Sequence, residues 1–218
     1  MNPRAPVNPR RLLVWLGLFF GSVALVLQFT LSMQLHAANG RDLPGAMGNF
    51  FSYYTILTNI VLVLIYLSLV LKAKWLEPFR SPVTRAMMAA NIALVTLFVY
   101  FVLRHLYAFE GLFDLADRML HYLCPTLYLL WWLFAQPHGG LKWLSLPIML
   151  LPTLIYFIYI IARGAWVQEY PYPVINVIDL GYPQVLLNAV LMTIGLAVLT
   201  AIVILLDGFI ARRAVAHD

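Results

Sequence analysis

The chain predicts an all-α fold, a polytopic integral membrane protein of six helices, and three observations carry that prediction. Hydrophobic residues make up 63% of its 218 residues and charged residues only 11%. A water-soluble domain of that length could not bury so much apolar surface. Six apolar stretches, 12–33, 50–71, 84–104, 119–136, 142–162 and 184–206, each come near the roughly 20 residues needed to cross a bilayer. Their apolar residues run continuously instead of alternating with polar ones, so they are helices and not barrel strands.

The first stretch follows Arg4, Arg10 and Arg11 and ends near His36-Ala37-Ala38. Those flanks suit a signal peptide, but an apolar run of about 22 residues exceeds the roughly 7–15 of a signal core. A retained first helix is expected. The second stretch opens through Asn49-Phe-Phe-Ser52-Tyr-Tyr-Thr55-Ile-Leu-Thr58-Asn59, and the third ends at Arg104 and His105. The fourth, the shortest, opens with Arg118-Met-Leu-His121-Tyr-Leu-Cys124-Pro125. Between the fifth and sixth lies an aromatic, proline-rich connection containing Tyr170-Pro-Tyr172-Pro173. Its tyrosines suit a membrane interface, and a lid over an outer cavity is the sharper reading of the same residues.

Lys and Arg set the expected orientation. Arg4, Arg10, Arg11, Lys72, Lys74, Arg80, Arg85, Lys142, Arg212 and Arg213 fall on one side. Arg41, Arg104, Arg118 and Arg163 fall on the other, among Asp42, Glu110, Asp114, Asp117, Glu169 and Asp179. Both termini are therefore expected in the cytoplasm. The net charge of +5 reads as this asymmetry and not as a nucleic-acid footprint. No linker or internal repeat divides the chain, so residues 1–218 are expected to form a single transmembrane domain. The lone cysteine, Cys124, excludes an internal disulfide and a thiolate metal cluster.

Orientation gives the polar residues a depth. Thr55, Thr58 and Asn59 are spaced i, i+3, i+4 and share one helix face. If the span begins at residue 50, Thr55 lies roughly 8 Å below its outer end and Asn59 one turn deeper. The fourth stretch also enters from outside, which puts His121 at a similar depth. Asn188 lies about one turn into the sixth. An ionisable group inside a membrane is a functional-site candidate by default.

A threonine hydroxyl becomes nucleophilic when a base takes its proton, and neutral imidazole is a suitable base. Asn59, with Asn188 as a further positioning group, could stabilise an oxyanion. That set of groups describes acyl transfer or ester hydrolysis. The blander reading has threonines bonding carbonyls four residues back, Asn59 bridging helices and His121 bonding an interfacial loop. Thr58 rivals Thr55 as nucleophile. Two-haem electron transfer is disfavoured because His36, His105 and His121 all fall on the outer side. Rhomboid-type proteolysis would need a glycine-flanked serine, which is lacking. Transport through a path lined by Asn59, Asn91 and Asn188 is the alternative, although no charged group sits mid-membrane before Asp207.

The chain resembles the androgen-induced family of six-span membrane proteins that includes the androgen-dependent TFPI-regulating protein, especially its bacterial branch. The resemblance rests on Phe51-Ser-Tyr-Tyr-Thr55-Ile-Leu-Thr58-Asn59, His121-Tyr-Leu-Cys-Pro125 through Trp132-Leu-Phe134, and Pro137-His138-Gly139. Tyr170-Pro-Tyr172-Pro173-Val-Ile-Asn-Val, Gly181-Tyr182 and Asn188 complete it. Animal members are threonine hydrolases of fatty acid esters of hydroxy fatty acids. The resemblance thus implies Thr55 as nucleophile, His121 as its partner, a lipid ester substrate and a bacterial cytoplasmic membrane. No metal or organic cofactor is expected, and the expected partners are membrane lipids, without nucleic acid.

Overall fold

The computed structural model describes residues 8–106 and 108–215; every regular element among them is helical. Arg4, counted above among the cytoplasmic charges, lies outside the described residues. Helix α1 (Pro9–Ala38) begins at the Asn8 cap, whose side chain accepts from the Arg10 N–H. Its 30 residues span roughly 45 Å. A short helix, α2 (Leu43–Phe50), is capped by Asp42. The chain then breaks at Ser52–Tyr53 and enters α3 (Tyr54–Leu71). A 3-10 segment, Lys74–Arg80, leads to α4 (Pro82–Phe101).

The next helical run has three pieces: α5 (Gly111–Arg118), a π turn (Met119–Leu123) and α6 (Cys124–Phe134). Helix α7 (Leu146–Val167) leads through Tyr170–Asn176 to α8 (Val177–Val215). Within α8, Gly181 takes φ 72° and ψ 160°, a conformation reserved for glycine, and Pro183 restarts the helix.

Five helices, Pro9–Ala38, Tyr54–Leu71, Pro82–His105, Trp143–Val167 and Val177–Ala214, are long and apolar enough to cross a membrane. The expected second span begins at Tyr54 instead of residue 50, because the extended Tyr53 interrupts the helix. Thr55 is therefore in the first turn of its helix and not more than a turn inside, a correction that brings it to the helix mouth.

Apolar side chains cover the outside as well as the core. Trp15, Phe19, Val26, Ile155, Leu187 and Leu191 are all exposed, the surface expected where lipid replaces water. Helix α4 is the hub, touching α3, α6, α7 and α8, while α1 packs on α3 and α6. Tyr66, Tyr128 and Trp131 form the centre, with ring centroids 5.4–5.8 Å apart.

Close approach of α1 to α3 depends on small residues, because lipid supplies no hydrophobic drive between helices. Gly17, Gly21 and Ala24 are its buried residues. A Cβ on Gly17 would lie 2.2 Å from the Tyr66 ring. Towards the same end of the bundle, His138 Nδ1 meets Asp207 Oδ1 at 3.0 Å, and Leu141 N–H donates to Asp207 Oδ2 at 3.0 Å. Both carboxylate oxygens are thereby used to tie the α6–α7 connection to α8.

Gly17→Val should overpack this seam and destabilise the protein by about 1–3 kcal/mol, read as a lower thermal midpoint in detergent. An unchanged midpoint would show that α1 does not press on Tyr66.

Candidate active site

The site begins with a proline. Pro125 has no N–H, and the Cys124 N–H just before it reaches back five residues to the Met119 carbonyl. In a regular α-helix those two N–H groups would serve the carbonyls of Leu120 and His121. Both carbonyls are instead satisfied from outside. Asn59 Nδ2 donates to Leu120 O at 3.2 Å, and Thr96 Oγ1 shares its one hydrogen between Ile92 O at 3.0 Å and His121 O at 3.1 Å. The π turn is thus pinned to α3 and α4, with His121 between its two pins.

That placement brings His121 Nε2 to 3.1 Å from Thr55 Oγ1. On its other edge, His121 Nδ1 lies 2.8 Å from Asp117 Oδ1 and 3.1 Å from the Asp117 carbonyl. Both of those oxygens are acceptors, so Nδ1 carries the hydrogen and Nε2 presents its lone pair to the Thr55 hydroxyl. Thr55, His121 and Asp117 therefore form a directed relay of the nucleophile, base and orienter type.

Asp117 was absent from the sequence-derived set, where it counted only as an outer charge. Its i, i−4 spacing from His121 was the available signal. Its neighbour Arg118 pairs with Asp114 at 2.8 Å, which leaves Asp117 facing the imidazole.

The other candidates take different places. Thr58 Oγ1 donates to the carbonyls of Tyr54 and Thr55 at 2.9 and 3.1 Å. Its hydroxyl is folded onto its own helix and is no rival nucleophile. Asn59 donates to Thr55 O at 2.8 Å as well as to Leu120 O. Both amide hydrogens are committed, so the expected oxyanion role is corrected to one of holding the π turn. Asn188 Nδ2 donates to Val174 O at 2.7 Å and fastens the connection before α8. Asn91 accepts from Tyr54 and from Thr153 and donates to Met87 O. Asn59 has no hydrogen free to line a polar path, whereas Asn91 Nδ2 spends one of its two on Met87 O.

Two cavities meet at Thr55. One, of about 320 Å³, is bounded by α4, α7 and α8 and is almost wholly apolar, with Leu94, Phe98, Phe157 and Val190 in its wall. Leu154, Leu186 and Ile194 also line it and are exposed on the outer helix faces. The other, of about 920 Å³, is mixed: His36, Asn49, Arg104, Asp117 and His121 share its wall with Phe50, Ile56, Phe113 and Leu120. Thr55 and Tyr172 border both.

The connection carrying Tyr172 is held down by charge. Glu169 meets Arg41 at 2.5 Å and Arg163 at 3.6 Å. Burial alone would push the Glu169 carboxyl up, but Arg41, helped by Arg163, holds it below the usual carboxylate range. The Tyr170 ring lies over Gly164, where a Cβ would sit 2.0 Å away. Among the described residues, no group of three or more His, Cys, Asp or Glu side chains gathers as a metal site. Compared with protein-family models, curated proteins and solved structures, the chain matches none.

Nitrogen-15 NMR of histidine-labelled protein, with His121→Gln to assign the signal, should show the Nδ1–H tautomer. Asp117→Ala should convert it to a mixture. A wild-type Nε2–H tautomer would contradict the relay, since Thr55 would then face a donor.

Proposed function

We propose that this is a six-span integral membrane protein with both termini cytoplasmic, and that it hydrolyses fatty acyl esters near the outer leaflet. The single observation that carries the enzymatic reading is the relay Thr55–His121–Asp117, set where an apolar cavity meets a larger one that also holds polar and charged groups. The fourth span is taken to be α5, the π turn and α6 together. The distribution of Lys and Arg supports the orientation, and the family resemblance is the ground for placing the protein in a bacterial cytoplasmic membrane.

The chemistry follows from the geometry. Thr55 Oγ1 forms a bond to the acyl carbon as its proton passes to His121 Nε2, and the carbonyl π electrons move to the oxygen. When the intermediate collapses, the ester C–O bond breaks and the alcohol leaves with the proton from His121. Water then attacks the acyl-threonine, with His121 again taking and returning the proton, and the fatty acid is released. Asp117 keeps the imidazole in the working tautomer and stabilises the imidazolium.

The two cavities divide the substrate. The apolar one, near the lower end of the roughly 300–1,000 Å³ usual for ligand pockets, suits the acyl chain. Its exposed rim residues offer access from the bilayer. The larger, mixed one suits the alcohol portion and its departure to water.

Release of fatty acid from a panel of lipid esters, by purified protein in mild detergent, tests the reading. Thr55→Ala and His121→Ala should each lower the rate by about 10²-fold or more, while Thr58→Ala retains activity. No hydrolysis across the panel, or hydrolysis indifferent to Thr55 and His121, would remove this reading and favour transport.

A further inference from the structure

With Asn59 committed to the π turn, the reaction lacks a group for the negative charge that develops on the acyl oxygen. Tyr172 has the required position. It borders both cavities at the point where Thr55 separates them. Its backbone is extended, with φ −131° and ψ 139°, as the following Pro173 favours. The flanking prolines, Pro171 and Pro173, stiffen the segment on both sides. Its ring stands edge-on to Tyr53 at 5.8 Å and to Phe98 at 6.5 Å. The side chain is half-buried, with the phenol turned inward.

The phenol lies close to the Thr55 side chain and to the N–H groups of Thr55 and Tyr54. Those N–H groups open α3, whose Tyr53 cap provides no side-chain hydrogen bond. First-turn N–H groups have no partner within their own helix, so the phenol oxygen meets donors there. Burial pushes the Tyr172 phenol up to about 12, which keeps it a donor and not a base at neutral pH.

We propose that the Tyr172 hydroxyl is the oxyanion donor of this site, giving its hydrogen bond to the acyl oxygen as the tetrahedral intermediate forms. The assignment rests on the hydrolase reading above. As Thr55 Oγ1 bonds to the acyl carbon, the acyl oxygen gains the negative charge. The rigid strap holds the phenol in place, so the donor needs no reorganisation at the moment of reaction. Tyr172 also closes the boundary between the cavities, which keeps the carbonyl against α3.

Wild type, Thr55→Ala, Tyr172→Phe and Tyr170→Phe are assayed with a p-nitrophenyl acyl ester and with a long-chain alkyl trifluoromethyl ketone, which traps a nucleophile as a tetrahedral oxyanion. Tyr172→Phe should lower kcat by about 10²–10³-fold with KM unchanged, and weaken the ketone comparably. Tyr170→Phe should match wild type. Ring-fluorinated tyrosine at position 172 keeps the packing while making the hydroxyl a stronger donor, and should tighten the ketone. Those last data decide the matter if Tyr172→Phe misfolds.

A Tyr172→Phe protein with wild-type kcat, or one whose only change is in KM, would overturn the assignment. So would a slow variant whose ketone affinity is intact, because Tyr172 would then merely hold the strap. Wild type without Thr55-dependent turnover would remove the hydrolase reading itself, and this role with it.

Discussion

Everything around Thr55 depends on a defect in one helix. Pro125 and the π turn before it release the carbonyls of Leu120 and His121, and Asn59 and Thr96 take them up. A buried carbonyl without a partner costs about 1–3 kcal/mol, more where no water can reach it. The released carbonyls therefore demand these two donors, and meeting that demand fixes the π turn against both α3 and α4. The His121 ring itself is held by Asp117 at Nδ1 and Thr55 at Nε2. The same register leaves Asp117 one turn before the imidazole, where it can hold the Nδ1 hydrogen.

Burial shapes the electrostatics of this arrangement. In a low-dielectric setting the Asp117–His121–Thr55 chain interacts more strongly than it would in water. Elsewhere in the bundle Asn91 bonds Tyr54, Thr153 and Met87, and Asp207 bonds His138 and Leu141, whereas Tyr66 Oη, Trp132 Nε1 and Thr200 Oγ1 are buried without a partner. Thr55 differs, since its hydroxyl meets a base and borders two cavities. The strap with Tyr172 sits over it, tied by Glu169 to Arg41 and by Asn188 to the carbonyl of Val174.

Hydropathy and continuous apolar runs sufficed to read an all-helical chain with membrane-length helices, because lipid admits few alternatives. Helix boundaries were less readable. The break at Tyr53 follows from local backbone geometry, and no glycine or proline announces it. Thr55 and His121 stood out through residue type and shared depth.

Asp117 did not, because its partner is set by a helix turn that the sequence assigned to a loop. Asn59 and Thr58 carried the right chemistry on the right face. Their hydrogens nonetheless go to carbonyls that only the folded chain exposes, and residue identity alone does not say which acceptor wins. Tyr172 looked like one aromatic among several at the interface; the packing of its strap distinguishes it.

The central claim is that Thr55 is a nucleophile. The most direct measurement is covalent capture: wild-type protein incubated with a long-chain alkyl fluorophosphonate, then digested and mapped by mass spectrometry. The account predicts one phosphonyl group on Thr55, lost when His121 is replaced by alanine. No adduct, or an adduct on another residue with Thr55 untouched, would contradict it.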